Sequence, residues 1–192
     1  MPTDDQALIS TISKTPQLSY GMSNPVEVTR THLEMRDVSA LRPSRPPSSD
    51  ARLAREYPTF DEYRAIYTTV GERWHWRDRL VMPDEALADY LAAPNIQVWV
   101  LRVGNEIAGF FELQQYSDKS VEIMYFGLVH DFIGQGLGGW MLTRAVQEAF
   151  ALGAPLLTLH TCTLDAPTAL PNYLARGFVV TRTEQFMQTI SA

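Results

Sequence analysis

The feature that most constrains this chain is a strand, a glycine cluster and a helix in close succession between Val121 and Gly153. The run Val121-Glu122-Ile123-Met124-Tyr125-Phe126-Gly127-Leu128-Val129 is rich in β-branched and aromatic residues, and His130-Asp131-Phe132-Ile133 separates it from Gly134-Gln135-Gly136-Leu137-Gly138-Gly139. Leu137, Met141, Leu142, Ala145, Val146, Ala149 and Phe150 then recur at three- and four-residue spacing, which predicts a helix with one apolar face closed by Gly153 and Pro155. Four glycines in six residues between strand and helix predict an anion site. Glycine lets backbone N–H groups approach a phosphate that the helix dipole also favours. A single glycine would signify no more than a tight turn.

A chain of 192 residues is about one domain with room for a sizeable core, and 45% hydrophobic with 20% charged residues is ordinary for a soluble globular protein. The formal net charge of −6 argues against a nucleic-acid partner, which would be met by a basic face. The single cysteine, Cys162, can form no internal disulfide, and no apolar run is long enough to span a bilayer. With no charged-then-apolar leader, the expectation is a cytoplasmic protein with no membrane partner. A homodimer stays open.

In chain order, residues 1–25 are polar, without a sustained apolar period, and read as a flexible arm; residues 26–192 read as a single domain. Val26 to Met35 suits a first strand, and Leu41-Arg42-Pro43-Ser44-Arg45-Pro46-Pro47-Ser48-Ser49 is a proline-rich connector with solvated arginines. A helix is expected from Thr59 to Val70, with Phe60, Tyr63, Ile66, Tyr67 and Val70 as its apolar stripe, ended by Gly71. The next eight residues, Glu72 to Arg79, hold two indoles, an imidazole and five charges, enough to wall a substrate pocket or to peg a core. Met82-Pro83-Asp84-Glu85 opens another helix that Pro94 ends.

Gln97 to Val103 and Glu106 to Gln115 form an antiparallel hairpin about Gly104-Asn105, and the Val121 strand continues the meander. The long helix crosses over to Leu156 to Cys162, a strand expected parallel beside it. Asp165-Ala166-Pro167 caps a short helix through Arg176, and Gly177-Phe178-Val179-Val180 begins the last strand. The class is α+β.

Gly134-x-Gly136-x-x-Gly139 matches the dinucleotide-binding fingerprint literally, but that fingerprint belongs directly after the first strand of a doubly wound parallel sheet. Here a meander precedes it, so a nicotinamide-dependent oxidoreductase is the remote alternative. Ile133-Gly134-Gln135-Gly136-Leu137-Gly138 instead resembles the signature of the GNAT family of acyl-CoA-dependent N-acetyltransferases, with Ile133 where that family carries Gln or Arg. Ala169-x-x-x-Tyr173-x-x-x-Gly177-Phe178 resembles its C-terminal motif, with Asp165, offset by one, where the family usually has Asn. Glu122 precedes Gly136 by the spacing of members that use a strand glutamate as general base. The resemblance covers Gln97 to about Phe186 well, and the N-terminal half only in element order.

The resemblance implies a mixed, mostly antiparallel central sheet flanked by helices, splayed between the family's fourth and fifth strands, here the Val121 and Leu156 strands. It implies acetyl-CoA as cosubstrate, with no metal, and direct transfer to a primary amine. Leu128, Val129, Ile133, Gly134, Gln135, Gly136, Gly138, Gly139 and Asp165 would hold the donor. Glu122 would act as base, on a face expected to be covered because period-two counting groups it with Met124, Phe126 and Leu128. Tyr173 would protonate the leaving thiolate. Trp74, Trp76 and Glu112 would meet a small-molecule amine, with Arg77 or Arg79 available to a carboxylate. A protein or peptide acceptor and a non-catalytic acyl-CoA sensor stand as alternatives. His160 and Cys162 share a strand face, but the sequence places no acid to orient them as a nucleophilic pair.

Overall fold

The computed structural model describes residues 24–47 and 50–190, so most of the expected N-terminal arm lies outside the described residues. The strands are β1 (Asn24–Met35), β2 (Ala51–Glu56), β3 (Ile96–Val103), β4 (Glu106–Gln115), β5 (Val121–Leu128), β6 (Leu157–Cys162) and β7 (Val179–Ile190). The helices are α1 (Phe60–Gly71), α2 (Asp84–Ala92), α3 (Leu137–Ala151) and α4 (Ala169–Ala175). No described helix is long and apolar enough to cross a membrane.

The strands form one seven-stranded sheet in the order β2-β3-β4-β5-β6-β1-β7. Only β5 and β6 run parallel, as a crossover through α3 requires. The expected mixed, mostly antiparallel sheet is what the chain builds. The placement of β1 was not foreseen, since it enters between β6 and β7 and pairs antiparallel with both. Its first half, Asn24 to Thr29, pairs with β7 alone, so a two-stranded ribbon runs on past the end of β6. β2 was also missed. Three of its six residues are charged, and it is tolerated as a strand because it takes a sheet edge.

Each sheet face has its own core. α3 and α4 cover one face with Leu137, Met141, Leu142, Val146 and Tyr173 against Leu33, Phe111, Ile123 and Leu159. Full burial of a Leu, Val or Met side chain is worth roughly 1.5–3 kcal/mol, so this stripe anchors α3 far more firmly than its intrinsic propensity. α1 and α2 cover the other face through Tyr63, Ile66, Tyr67, Val70 and Leu87 against Val98, Val100 and Phe110. α1 starts where Thr59 and Glu62 form a reciprocal capping box.

Under α1 lies Glu112, fully buried, which is a correction to its expected place in the acceptor pocket. Tyr63 Oη donates to one carboxylate oxygen, while Arg79 Nη2 at 2.8 Å and Tyr90 Oη at 2.5 Å donate to the other. The Arg79 guanidinium also lies 4.2 Å from the centroid of the Tyr90 ring and 5.0 Å from that of Tyr125. This pair ties the segment after α1 to the middle of the sheet. Arg79 is consequently unavailable to a substrate carboxylate. Glu112→Ala would leave the guanidinium buried without its counter-charge, and chemical denaturation should show a loss of about 3–5 kcal/mol.

Candidate active site

The site begins with a defect in β5. Glu112 pairs with Tyr125 and Leu113 with Ile123, so Met124 has no partner across the ladder and forms a β-bulge. One extra residue reverses the alternation. Val121 and Ile123 face α3 before the bulge, and Phe126 and Leu128 face it afterwards. Glu122 therefore lies on the opposite face from Phe126 and Leu128, which corrects the period-two grouping made from sequence. β5 and β6 stay paired only from Val121↔Leu157 to Ile123↔Leu159 and then part.

The gap between them is a cleft of about 590 Å³. Val129 N–H donates to Ala108 O at 2.9 Å, so it faces β4 and is closed to a ligand, contrary to its expected donor role. Antiparallel alternation then turns the peptide groups of Leu128 and Phe126 away from β4 and into the gap. Those groups are unpaired strand edges within the molecule, suited to an amide-bearing arm.

At one rim, a short 3-10 turn over His130–Phe132 leads into the glycine cluster. Gly134 has φ +86° and Gly136 has φ +78°, left-handed values that glycine adopts without strain. Gly136 is the N-cap of α3, provides no side-chain cap, and no acid stands in the first turn. The first N–H groups of α3 are thus open to an anion. Ile133, Gly134, Gly136, Gly138 and Gly139 all line the cleft. A Cβ on Gly139 would lie 2.5 Å from Arg176 Nη1 and 3.0 Å from Ser44 Oγ, so two polar side chains close over this end. The Gln135 side chain is turned back, its Nε2 donating to Asp131 O at 2.8 Å, which leaves only its backbone for a ligand.

Tyr173, on α4, lines the same cleft, edge-on to Phe126 and Phe178 at 6.0 and 6.2 Å between ring centroids. Burial first, then the Asp165 charge, pushes its phenol well above the ordinary value, which keeps its proton in place. Asp165 does not cap α4 as expected. Its Oδ2 accepts from Thr161 Oγ1 at 2.6 Å and Cys162 N–H at 2.9 Å, closing the turn after β6, and the helix begins only after Thr168. Pro171 fits there because the first turn of a helix needs no N–H donor.

On the other sheet face, Trp74, His75, Trp76, Arg77 and Asp78 line the cleft together with Tyr67 and Tyr125. Trp76 is both wall and peg. Its ring packs 5.4 Å from Tyr67 and 5.1 Å from Tyr125, and Gly71 and Gly127 leave the space it fills. The acid exposed here is Asp78, which accepts from Tyr125 Oη at 3.1 Å and stands where Glu112 was expected. Glu122 is not among the lining residues. Its Oε2 accepts from Tyr116 Oη at 2.7 Å, and its Oε1 lies 3.4 Å from His160 Nδ1. The His160 contact, strengthened by Tyr116, holds its carboxyl below the ordinary 4.5 against the opposing effect of burial. A raised affinity for the proton, expected from a covered apolar face, is thus reversed.

Sequence reasoning missed Arg30, Gln188 and Asn172 as cleft residues, and considered His160 only as a partner of Cys162. Arg30 and Gln188 come from β1 and β7, whose pairing no local pattern announces. Asn172 is adjacent to Tyr173 in the motif, and its Nδ2 donates to Gly138 O at 3.4 Å. Among the described residues no group of three or more His, Cys, Asp or Glu could hold a metal.

A sheet parted between two parallel strands, with the open N–H groups of a glycine turn at one rim and a buried phenol beside it, is the arrangement that the sequence resemblance to acyltransferases implies. The chain belongs to the Acetyltransferase (GNAT) family, whose sequence profile matches residues 58–178. Among solved structures, a GCN5-related N-acetyltransferase from Kribbella flavida is 19% identical with a TM-score of 0.60, over 83% of this chain and 56% of that one. A functionally unknown conserved protein from Staphylococcus epidermidis ATCC 12228 is 18% identical with a TM-score of 0.63, over 88% of this chain and 64% of that one. This chain thus spans less than two thirds of either. An aminoglycoside acetyltransferase from an uncultured soil metagenomic sample, in complex with trehalose, is 17% identical with a TM-score of 0.55, over 66% of this chain and 87% of that one. No curated protein matches.

A lowered carboxyl stabilises the native state above its unfolded value and loses that contribution as pH falls through the folded one. The melting temperature of Glu122→Gln should therefore lie below wild type near neutral pH, and the difference should close as the pH drops below the ordinary 4.5.

Proposed function

We propose that this acetyltransferase moves the acetyl group of acetyl-CoA directly to the primary amine of a small molecule with an apolar or aromatic body. The observation that carries the proposal is that one cleft passes through the parted sheet, with the glycine turn and Tyr173 on one side and an aromatic wall with Asp78 on the other. Two substrates entering from opposite faces meet at the fork of β5 and β6. Acetyl-CoA supplies an activated thioester, so the protein has only to align an amine, relieve it of a proton and protonate the departing sulfur.

The N–H groups of Gly134 to Gly139 at the start of α3 hold the pyrophosphate, and the inward peptide groups of Phe126 and Leu128 align the pantetheine arm. Tyr173 gives its proton to the thiolate. Tyr67, Trp74, Trp76 and Tyr125 receive the apolar body of the amine, and Asp78 attracts its charge. Glu122, whose carboxylate lies outside the cleft, bears on the amine proton only through the residue it contacts there, His160. A similar structure, described as an aminoglycoside acetyltransferase in complex with sisomicin, supports a small-molecule acceptor. The aromatic wall here favours a less polar amine.

Acetyl-CoA should raise the melting temperature of wild type, and Gly136→Glu, which puts a carboxylate into the anion site, should abolish that rise in a folded protein. Tyr173→Phe should lower kcat by about ten- to ten-thousand-fold in a thiol-release assay while the acetyl-CoA shift persists. Trp76→Ala should raise KM for the amine with KM for acetyl-CoA nearly unchanged. Release of no free thiol with any amine, despite stabilisation by acetyl-CoA, would mark the protein as a sensor.

A further inference from the structure

The amine proton needs an acceptor on the side of the sheet from which the amine enters, and Glu122 does not reach the cleft. His160 does. It is the first residue of β6 beyond the last paired position, Ile123↔Leu159, and so stands at the fork, across from the bulged Met124. Leu157, Leu159 and Thr161 are buried, the leucines in the core under α3, so period-two alternation directs Thr158, His160 and Cys162 to the opposite face, that of the Trp74–Asp78 wall. His160 is therefore on the acceptor side of the fork and Tyr173 on the donor side.

The imidazole is held from behind. Its Nδ1 lies 3.4 Å from Glu122 Oε1, and Glu122 is fixed in turn by Tyr116 Oη at 2.7 Å. A carboxylate beside Nδ1 favours the tautomer with its proton there, which leaves the lone pair on Nε2 of a ring that lines the cleft. We propose that His160 is the general base of the transfer and that Glu122 is its positioning residue, the two forming a carboxylate–imidazole dyad at the fork of β5 and β6. The proposal rests on the acetyl-transfer reading given above. It also supplies the orienting acid that the sequence alone did not place beside His160, in the service of a base rather than a nucleophile.

In the step, the amine first gives its extra proton to solvent, its freed lone pair then forms a bond to the acetyl carbon, and the carbon–sulfur bond breaks with its pair on sulfur. The proton shed by nitrogen goes to His160 Nε2, and the sulfur takes a proton from Tyr173. Solvent later takes up the proton of the imidazolium and restores that of the phenol, so the products are an amide and free coenzyme A. The lowered carboxyl of Glu122 suits this division, since it keeps a negative charge behind the ring. The other groups facing the ring are His32 of β1, at 5.9 Å between ring centroids, and Arg30 on the same strand. Glu184 and Arg182 of β7 both contact His32 Nε2 at 3.0 Å, behind it.

The test is the pH profile of kcat, measured by thiol release at saturating acetyl-CoA with an amine the wild type accepts. His160→Gln should lower kcat by about a hundred- to ten-thousand-fold and remove the acidic limb, with the acetyl-CoA thermal shift intact. Glu122→Gln should keep the limb but move it to lower pH, because the imidazolium loses its counter-charge. Free imidazole should restore turnover to His160→Ala by about tenfold or more, which a packing role would not allow. The assignment is overturned if His160→Gln keeps kcat within about threefold of wild type, if Glu122→Gln erases the limb as completely as His160→Gln, or if imidazole rescues nothing. Each of those results leaves acetyl transfer standing. Wild-type protein that releases thiol with no amine overturns acetyl transfer itself and this assignment with it.

Discussion

The interaction on which the site depends is one that is not made. Parallel strands β5 and β6 share a ladder for three residues, and beyond Ile123↔Leu159 their peptide groups have no partners in each other. Unpaired backbone in the middle of a sheet is costly unless something else satisfies it, so the fork is a standing demand for a polar, strand-like occupant. The bulge at Met124 creates that demand by bending β5 away from its neighbour and reversing its faces. The lining of the cleft follows from the same defect. It puts Phe126 and Leu128 beside Tyr173, leaves Glu122 on the other face, and opens the position that His160 occupies.

A fork in a sheet weakens it, and two devices hold its margins. On one side α3 lays Leu137, Met141, Leu142 and Val146 across β4, β5 and β6, clamping strands that do not bond to each other at their ends. On the other, the fully buried Glu112 gathers Tyr63, Tyr90 and Arg79 from α1, α2 and the intervening segment. That network is expensive to desolvate and earns no place on hydrophobic grounds. Its consequence is positional, because Arg79 ends the segment that carries Trp74, Trp76 and Asp78, and a buried ion pair with three donors allows one arrangement of it.

Much of the fold was legible in the sequence because the longest elements obey strict periods. The α3 stripe, the Gly104-Asn105 hairpin and the glycine cluster are local patterns, and local patterns survive into the structure. The same reasoning failed at Met124 for one reason and at Glu112 and the capping role of Asp165 for another. A period-two count assumes an unbroken ladder, and a carboxylate's role depends on what surrounds it. Glu112 was expected to meet the amine beside Trp74 and Trp76, yet its partners are buried groups 49, 33 and 22 residues away in the chain.

The sequence by itself determined the family of the protein and the glycine-rich start of α3, since both are carried by short local patterns. Tyr173 was likewise within reach, being tied to Gly177-Phe178 in one short segment. Only the tertiary structure decided that β1 lies between β6 and β7, that Arg30 reaches the cleft, and that Glu122 stands behind His160. Those facts are contacts between segments 38 to more than 150 residues apart, such as Glu122 with His160 and Thr29 with Gln185. Which distant strands pair is set by how the two apolar faces of the whole sheet are covered, and no window of sequence contains that information.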